Sequence, residues 1–131
     1  MADDTTPPSQ PTIEFQDSGG NIVSNVNQNE SFVIVLTSLS DNDTVESGTI
    51  KRQKPNGSSF ILLGTETQKT NSNFELNTSF SEVGIHQIRA YVTDGGGNQS
   101  QNVSGTISVQ EITPPNVSIS TRETLVNAGE N

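Results

Sequence analysis

Acidic side chains in three short segments are the groups in this sequence best suited to chemistry. They lie in the first residues of the chain, in a segment near position 40 and in a glycine-rich turn near position 95: Asp4, Asp41, Asp43, Asp94 and Asn98. Carboxylate and amide oxygens are hard ligands, and Ca²⁺ takes about six to eight of them at about 2.3–2.6 Å. The residue types therefore indicate a calcium site, provided that the fold brings the three segments together.

The same residues have a second interpretation. Asp and Asn are favoured in turns because their side chains accept hydrogen bonds from nearby backbone amides. Asp94 begins the sequence Asp-Gly-Gly-Gly-Asn, which is typical of such a turn. The acidic segments match neither the spacing of an EF-hand nor that of the glycine-rich nonapeptide. Calcium binding and ordinary turn formation are therefore alternatives at this point.

Residue types for covalent or transition-metal catalysis are scarce. The chain has no cysteine and a single histidine, His86, so it offers neither a Cys–His pair nor a transition-metal cluster. A single histidine in phase with the apolar residues of a strand is expected to be a core residue bonded to the backbone. Glycosidase chemistry needs two carboxylates in a cleft, which a narrow domain does not offer. We predict that the chain is not an enzyme and has no cofactor other than calcium.

The charge composition limits the partners of the chain. It has 15 acidic and 6 basic residues and a formal net charge of -9. Nucleic acids and anionic lipids recruit Lys and Arg, so neither is expected as a partner. No apolar run approaches the roughly 18 residues of a membrane span, so direct membrane insertion is not expected. Charged residues are only 16% of the chain, which favours a thin folded domain over disorder.

Short apolar runs separated by turn residues predict an all-β fold. Seven strands are predicted, near residues 11–15, 31–38, 48–54, 59–65, 73–80, 86–92 and 101–110. The sixth is the clearest because every second residue is apolar or His86, and the third is the weakest because Ile50 is almost its only apolar residue. Seven short strands in about 100 residues predict an immunoglobulin-like Greek-key β-sandwich.

This topology brings the three acidic segments to one end of the sandwich. In a Greek-key sandwich, the loop between the second and third strands lies at the same pole as the turn between the last two strands. The first strand also begins at that pole. The linker with Asp4, the loop with Asp41 and Asp43, and the turn with Asp94 and Asn98 would therefore meet there.

A short sequence recurs along the chain. Thr6-Pro7-Pro8 returns 107 residues later as Thr113-Pro114-Pro115, and each copy leads into an alternating apolar segment. Paired prolines lock φ and remove backbone donors, so each linker is expected to be stiff. Chance recurrence of a common loop tripeptide is the alternative. The predicted organisation is a linker at the start of an excised piece (1–10), a sandwich repeat (11–112), and a linker with the truncated start of the next repeat (113–131).

Several of these segments resemble a known family. They are residues 84–98, which contain Thr93-Asp94-Gly95-Gly96-Gly97-Asn98, the linker Asp4-Thr5-Thr6-Pro7-Pro8, and the acidic loop Ser40-Asp41-Asn42-Asp43. Together they resemble the bacterial Ig-like repeats of large surface adhesins and secreted multidomain proteins. The chain departs from that pattern at His86, where Tyr is usual, and in its weakly apolar third strand.

The resemblance implies a non-catalytic structural spacer of a secreted, extracellular or cell-surface protein, of the bacterial adhesin type. Its partners would be adjacent Ig-like repeats of the same chain, calcium would stiffen the pole between domains, and the isolated domain would be monomeric. The alternative is a ligand- or carbohydrate-binding accessory module of a secreted enzyme. Sugar sites present exposed aromatic rings, and this chain has no Trp and one Tyr, Tyr91.

Overall fold

The structure is a computed structural model, and it describes residues 5–41 and 44–112. Within this part the chain forms nine strands: β1 Thr12–Gln16, β2 Asn25–Asn27, β3 Phe32–Thr37, β4 Val45–Gln53, β5 Ile61–Glu66, β6 Lys69–Thr70, β7 Asn73–Thr78, β8 Gly84–Asp94 and β9 Val103–Gln110. No helix long and apolar enough to cross a membrane occurs in this part of the chain. The predicted start of a further repeat, 113–131, lies outside the described residues, so the repeat stays a prediction.

The strands form two sheets packed face to face. One sheet has the order β1-β3-β7-β6, and the other has the order β2-β9-β8-β4-β5. Neighbouring strands are antiparallel, except that β2 runs parallel to β9. The chain passes between the sheets after β1, β2, β3, β5 and β7, as Greek-key connections require. The predicted all-β, immunoglobulin-like sandwich is confirmed.

The core lies between the sheets and follows the predicted alternation. In β3, Phe32, Ile34 and Leu36 are at most 1% exposed, and in β8 the residues Ile88, Ala90 and Val92 are fully buried. Phe15, Phe74, Phe80 and Ile107 complete the centre of the same cluster. The two sheets therefore seal one continuous apolar layer, which is the main source of stability in a chain without disulfides.

β4 is longer and better buried than the third predicted strand. It begins at Val45, three residues before the predicted start, and pairs with both β5 and β8. Its inward residue Gly48 has no side chain, but a Cβ there would lie 2.9 Å from Leu36 Cδ1 and 3.0 Å from Phe74 Cδ2. Side chains from the opposite sheet thus fill the space, so the strand is central although its own sequence is weakly apolar.

Candidate metal site

The chain's first described residues and three further segments meet at one end of the sandwich. We call this end the N-terminal pole, formed by residues 5–11, 38–41, 67–72 and 94–102. Ser9 N donates to Ser40 O at 2.9 Å, and Gln10 Nε2 donates to Asn102 O at 2.6 Å. The pole therefore contains Asp41, Asp94 and Asn98, whereas Asp4 and Asp43 lie outside the described residues.

The Asp94 carboxylate caps its own turn. Its Oδ1 accepts hydrogen bonds from Gly96 N at 3.0 Å and from Asn98 N at 2.8 Å, and its Oδ2 accepts one from Asn98 Nδ2 at 3.1 Å. The backbone closes the same turn, since Asp94 N donates to Asn98 O at 3.0 Å. Asp94 is only 2% exposed. These contacts agree with the interpretation of Asp94 as an ordinary turn residue. They leave its carboxylate oxygens little capacity to bind a metal ion.

A second copy of this turn follows β1, where the residues Ser18-Gly19-Gly20 also predict a turn. Asp17 Oδ1 accepts hydrogen bonds from Gly19 N and Asn21 N, each at 2.9 Å, and Asp17 N donates to Asn21 O at 2.9 Å. The hydrogen bond from the Asn21 amide lowers the pKa of the Asp17 carboxyl. Both turns have the sequence pattern Asp-x-Gly-Gly-Asn, which occurs at 17–21 and again at 94–98. The pattern therefore indicates a turn and is not by itself evidence for a metal.

Asp41 is in a different situation. Both of its carboxylate oxygens are shielded from solvent, and neither has a hydrogen-bond partner within residues 5–41 and 44–112. The side chain lines a surface cavity of about 440 Å³ together with Thr44, Lys69 and Ser72. A shielded carboxylate without a partner lowers stability unless a cation compensates it. Lys69 supplies one positive charge at this cavity, and a bound metal ion would supply more.

The described residues supply only part of a calcium shell. Ca²⁺ takes about six to eight oxygen ligands, and the part of the chain that the structure describes has no group of three or more His, Cys, Asp or Glu residues placed to hold a metal. Asp41 fits such a shell, and Asp94 is occupied by its turn. Asp4 and Asp43 of the predicted calcium set lie outside the described residues, so the site stays a prediction.

His86 is structural, as the sequence predicted. It is fully buried on the inward side of β8, and its Nε2 lies 2.7 Å from Glu82 O. A carbonyl oxygen only accepts hydrogen bonds, so Nε2 carries the proton and donates it. The ring stacks on Phe80 at a centroid distance of 4.5 Å, and the guanidinium of Arg52 also lies 4.5 Å from the Phe80 ring. Burial lowers the pKa of His86, so the ring is neutral at pH 7.

Comparison with known proteins identifies a fold and no family. No family model matches the sequence, and no curated protein matches it. The chain is similar to the PKD domain of an M14-like peptidase from Thermoplasmatales archaeon SCGC AB-540-F20, with 15% identity and a TM-score of 0.54 over 83% of this chain and 99% of that one.

It is also similar to the fibronectin(III)-like modules of Clostridium thermocellum CbhA, with 17% identity and a TM-score of 0.55 over 78% of this chain and 100% of that one. A third similar structure is the twitchin kinase region of C. elegans, with 17% identity and a TM-score of 0.50 over 79% of this chain but 16% of that one. At these identities the likeness shows the immunoglobulin-like sandwich alone.

Proposed function

We propose that this chain is a non-catalytic structural spacer, one repeat in a row of immunoglobulin-like domains on an extracellular or cell-surface protein of the bacterial adhesin type. The observation that carries the proposal is the position of the two chain ends. The chain enters at the N-terminal pole, where Ser9 bonds to Ser40. It leaves at the opposite end, where β9 finishes and Gln28 N donates to Gln110 O at 2.7 Å. Domains connected at opposite ends form an extended row.

The way the linker joins the domain supports a stiff row. Pro8 and Pro11 are both buried, and the residues between them hydrogen-bond to the two loops of the N-terminal pole. Two prolines in one short segment restrict φ and cannot donate backbone hydrogen bonds. The second half of the linker is thus fixed to the sandwich, and only a few residues are left to act as a hinge between neighbouring domains.

The side chains that could catalyse a reaction have structural roles in the part of the chain described. His86 is bonded to Glu82 O in the core, and the buried carboxylate of Asp94 holds its own turn. His86 is sealed in the core, and Asp94, which borders a surface cavity beside Lys69, is held by the hydrogen bonds of its turn. These contacts support a domain whose role is mechanical.

An accessory role beside a secreted enzyme is the second candidate function. It is favoured by the similarity to a PKD domain that belongs to an M14-like peptidase. A sugar platform is poorly supported, since Tyr91 is half-buried and the Lys51 ammonium lies 5.9 Å from its ring centroid. The domain order of the parent protein separates the two roles: many consecutive repeats support a spacer, and one or two beside a catalytic domain support an accessory module.

Calcium at the N-terminal pole is the second part of the proposal. Asp41 is its main support, because both carboxylate oxygens are shielded from solvent and have no hydrogen-bond partner among the described residues. Asp4 and Asp43 are neighbours of this pole in sequence and would supply the further carboxylates. A cation there would join the linker to the loop after β3, at the place where the preceding domain is attached.

We expect Asp41→Asn to weaken calcium binding by about tenfold or more, because ligand charge sets the affinity of such sites. The measurement is isothermal titration of the whole chain with CaCl₂. Unfolding measured in excess calcium should agree, since a free concentration about 100 times Kd stabilises the folded state by about 2.7 kcal/mol.

Asp17→Asn is the matched control, since Asp17 lies in the equivalent turn at the far end of the molecule. Its calcium affinity should equal that of the original chain. Absence of binding by the original chain, or equal affinities for the Asp41 and Asp17 variants, would contradict the calcium proposal and leave the spacer role standing.

A further inference from the structure

The outer surface of the five-stranded sheet carries positive charge on a strongly acidic chain. Ile88, Ala90 and Val92 point into the core, so the intervening residues of β8 point outward. Register places Arg89 directly opposite Lys51 of β4. We call this surface the basic face; its outward residues on β4, β8 and β9 are Ser47, Thr49, Lys51, Gln53, Ile85, Gln87, Arg89, Tyr91, Thr93, Ser104, Thr106, Ser108 and Gln110. None of them is acidic, and the exposed Glu46 lies at the end of this face, where the register of β4 against β8 shifts.

The two cations of the basic face contact aromatic rings and form no ion pair within residues 5–41 and 44–112. The Arg89 guanidinium lies 4.0 Å from the Phe60 ring centroid, and the Lys51 ammonium lies 5.9 Å from that of Tyr91. The ion pairs in the described part of the chain use other cations, Arg52 and Lys54. Like charges directly opposite each other on neighbouring strands are destabilising. The ring contacts offset part of that cost, and an anionic partner would remove the rest.

The outer surface of the other sheet has the opposite charge. Glu14 of β1 and Glu75 of β7 are both in register with Val35 of the central strand β3. We call this surface the acidic face; its outward residues on these strands are Thr12, Glu14, Gln16, Val33, Val35, Thr37, Asn73, Glu75 and Asn77. It contains no Lys or Arg, and neither glutamate forms an ion pair within the residues described. Each copy thus carries a positively charged face and a negatively charged face, and the basic face of one copy is complementary in charge to the acidic face of another.

We propose that a second copy of this chain places its acidic face on the basic face of the first. The two faces are on opposite sides of one sandwich, so each copy can use both at once. Such a contact is heterologous and does not close, and it would join spacers side by side. This inference goes beyond the spacer role, which stands whether or not copies associate.

The size of the faces indicates a weak contact. Three strands at a spacing of about 4.8 Å and lengths near 30 Å give the basic face roughly 430 Å², and three strands near 19 Å long give the acidic face roughly 270 Å². Standard interfaces bury about 800 Å² per partner. The net charge of -9 on each copy also opposes association. A single domain is therefore monomeric at low concentration, whereas a row of repeats multiplies the contact through avidity.

Exchanging the charges of the two faces tests the proposal. The basic-face variant is Lys51→Glu with Arg89→Glu, and the acidic-face variant is Glu14→Lys with Glu75→Lys. Backbone amide shifts of ¹⁵N-labelled chain are followed by NMR at low ionic strength while unlabelled chain is added. In the original chain, shifts on both faces should grow with concentration, and raising the salt should weaken the association by about tenfold.

Each variant alone should associate about tenfold or more weakly than the original chain, and an equimolar mixture of the two variants should recover the association. The acidic-face variant is the sharper of the two. It reduces the magnitude of the net charge by four, so the overall electrostatic repulsion between copies becomes weaker. The proposal nevertheless predicts that association becomes weaker as well. Lys54→Glu with Lys69→Glu is the control, because it makes the same charge change as the basic-face variant but at the ends of the sandwich.

Any of three results of the association measurements would overturn the proposal. They are the absence of concentration-dependent shifts in the original chain at millimolar concentration, equal association in the original chain and both variants, and a mixture that fails to recover. An anionic polysaccharide that perturbs the amides of Lys51 and Arg89 when the chain does not self-associate would likewise overturn it, since the basic face would then serve another partner. Circular dichroism of each variant verifies that it is folded.

Discussion

Replacing Asp94 by Ala is expected to lower the free energy of unfolding by about 2–3 kcal/mol, and the same change at Asp17 is expected to cost much less. The two carboxylates receive the same hydrogen bonds from residues two and four positions later in the chain. They differ in surroundings, since Asp94 is 2% exposed, whereas Asp17 is half-buried and its hydrogen bonds are open to solvent. Hydrogen bonds to a charged group contribute more where water cannot replace them.

The pair of turns makes this a controlled comparison. Urea unfolding of the two variants, monitored by circular dichroism, gives the loss of unfolding free energy at each position. The residue change and the type of turn are the same in both. Asp94→Ala should also loosen the contact in which Gly95 N donates to Thr44 O at 3.0 Å, which joins the turn to the start of β4. Equal losses of unfolding free energy at both positions would contradict the claim that burial strengthens the hydrogen bonds of Asp94.

Gly48→Val is expected to lower the free energy of unfolding by about 3 kcal/mol. A Cβ at this position would lie 2.9 Å from Leu36 Cδ1 and 3.0 Å from Phe74 Cδ2, and both side chains are fully buried. The valine γ carbons would extend further into the same filled space. Because protein interiors are close-packed, the neighbouring side chains must move from their preferred rotamers.

Two further variants test the cause of that loss. Ser47→Val lies beside Gly48 in β4 but points outward, so it should change stability by no more than about 0.5 kcal/mol. Leu36→Ala combined with Gly48→Val exchanges volume between the two sheets, so the double variant should lose less than the sum of the single variants. Additive losses would show that Leu36 does not fill the space over Gly48.

The strands that the sequence predicted well are those whose inward residues are nearly all apolar. β3 and β8 fit this description, since the inward residues of β3 are all apolar and those of β8 are apolar except near its two ends. The start of β4 was missed because its register against β8 shifts between Val45 and Ser47, so these residues show no regular alternation. β2 and β6 have three residues and two residues, too few for a periodic pattern. Their strand character comes from pairing with β9 and β7.

The candidate site was less predictable than the fold. Its place at one pole follows from topology, which strand order determines. The role of Asp94 depends on which amides approach its carboxylate within about 3 Å, and residue type alone allows both a turn and a metal. The repeated Asp-x-Gly-Gly-Asn pattern could have favoured the turn, and it was available in the sequence. The placement of Lys51 directly opposite Arg89 on the neighbouring strand depends on strand register, which the sequence does not specify.

A spacer in a row of domains is pulled through its two chain ends, and the fold determines how that force is applied. β2 runs parallel to β9, and their contact includes the bonds Ser108 N to Ser24 O at 3.1 Å and Gln28 N to Gln110 O at 2.7 Å. Tension from opposite poles acts along both strands at once, so these bonds are loaded in shear and must break together. Gln28→Pro removes one of the donors and should lower the unfolding force.

The most direct test of the spacer role is single-molecule force spectroscopy with handles at the two ends of the chain. The spacer proposal predicts one abrupt unfolding step that releases about 100 residues, or roughly 350 Å of extended chain, at a force that Gln28→Pro reduces. Gradual lengthening under low force, with no distinct step, would contradict it.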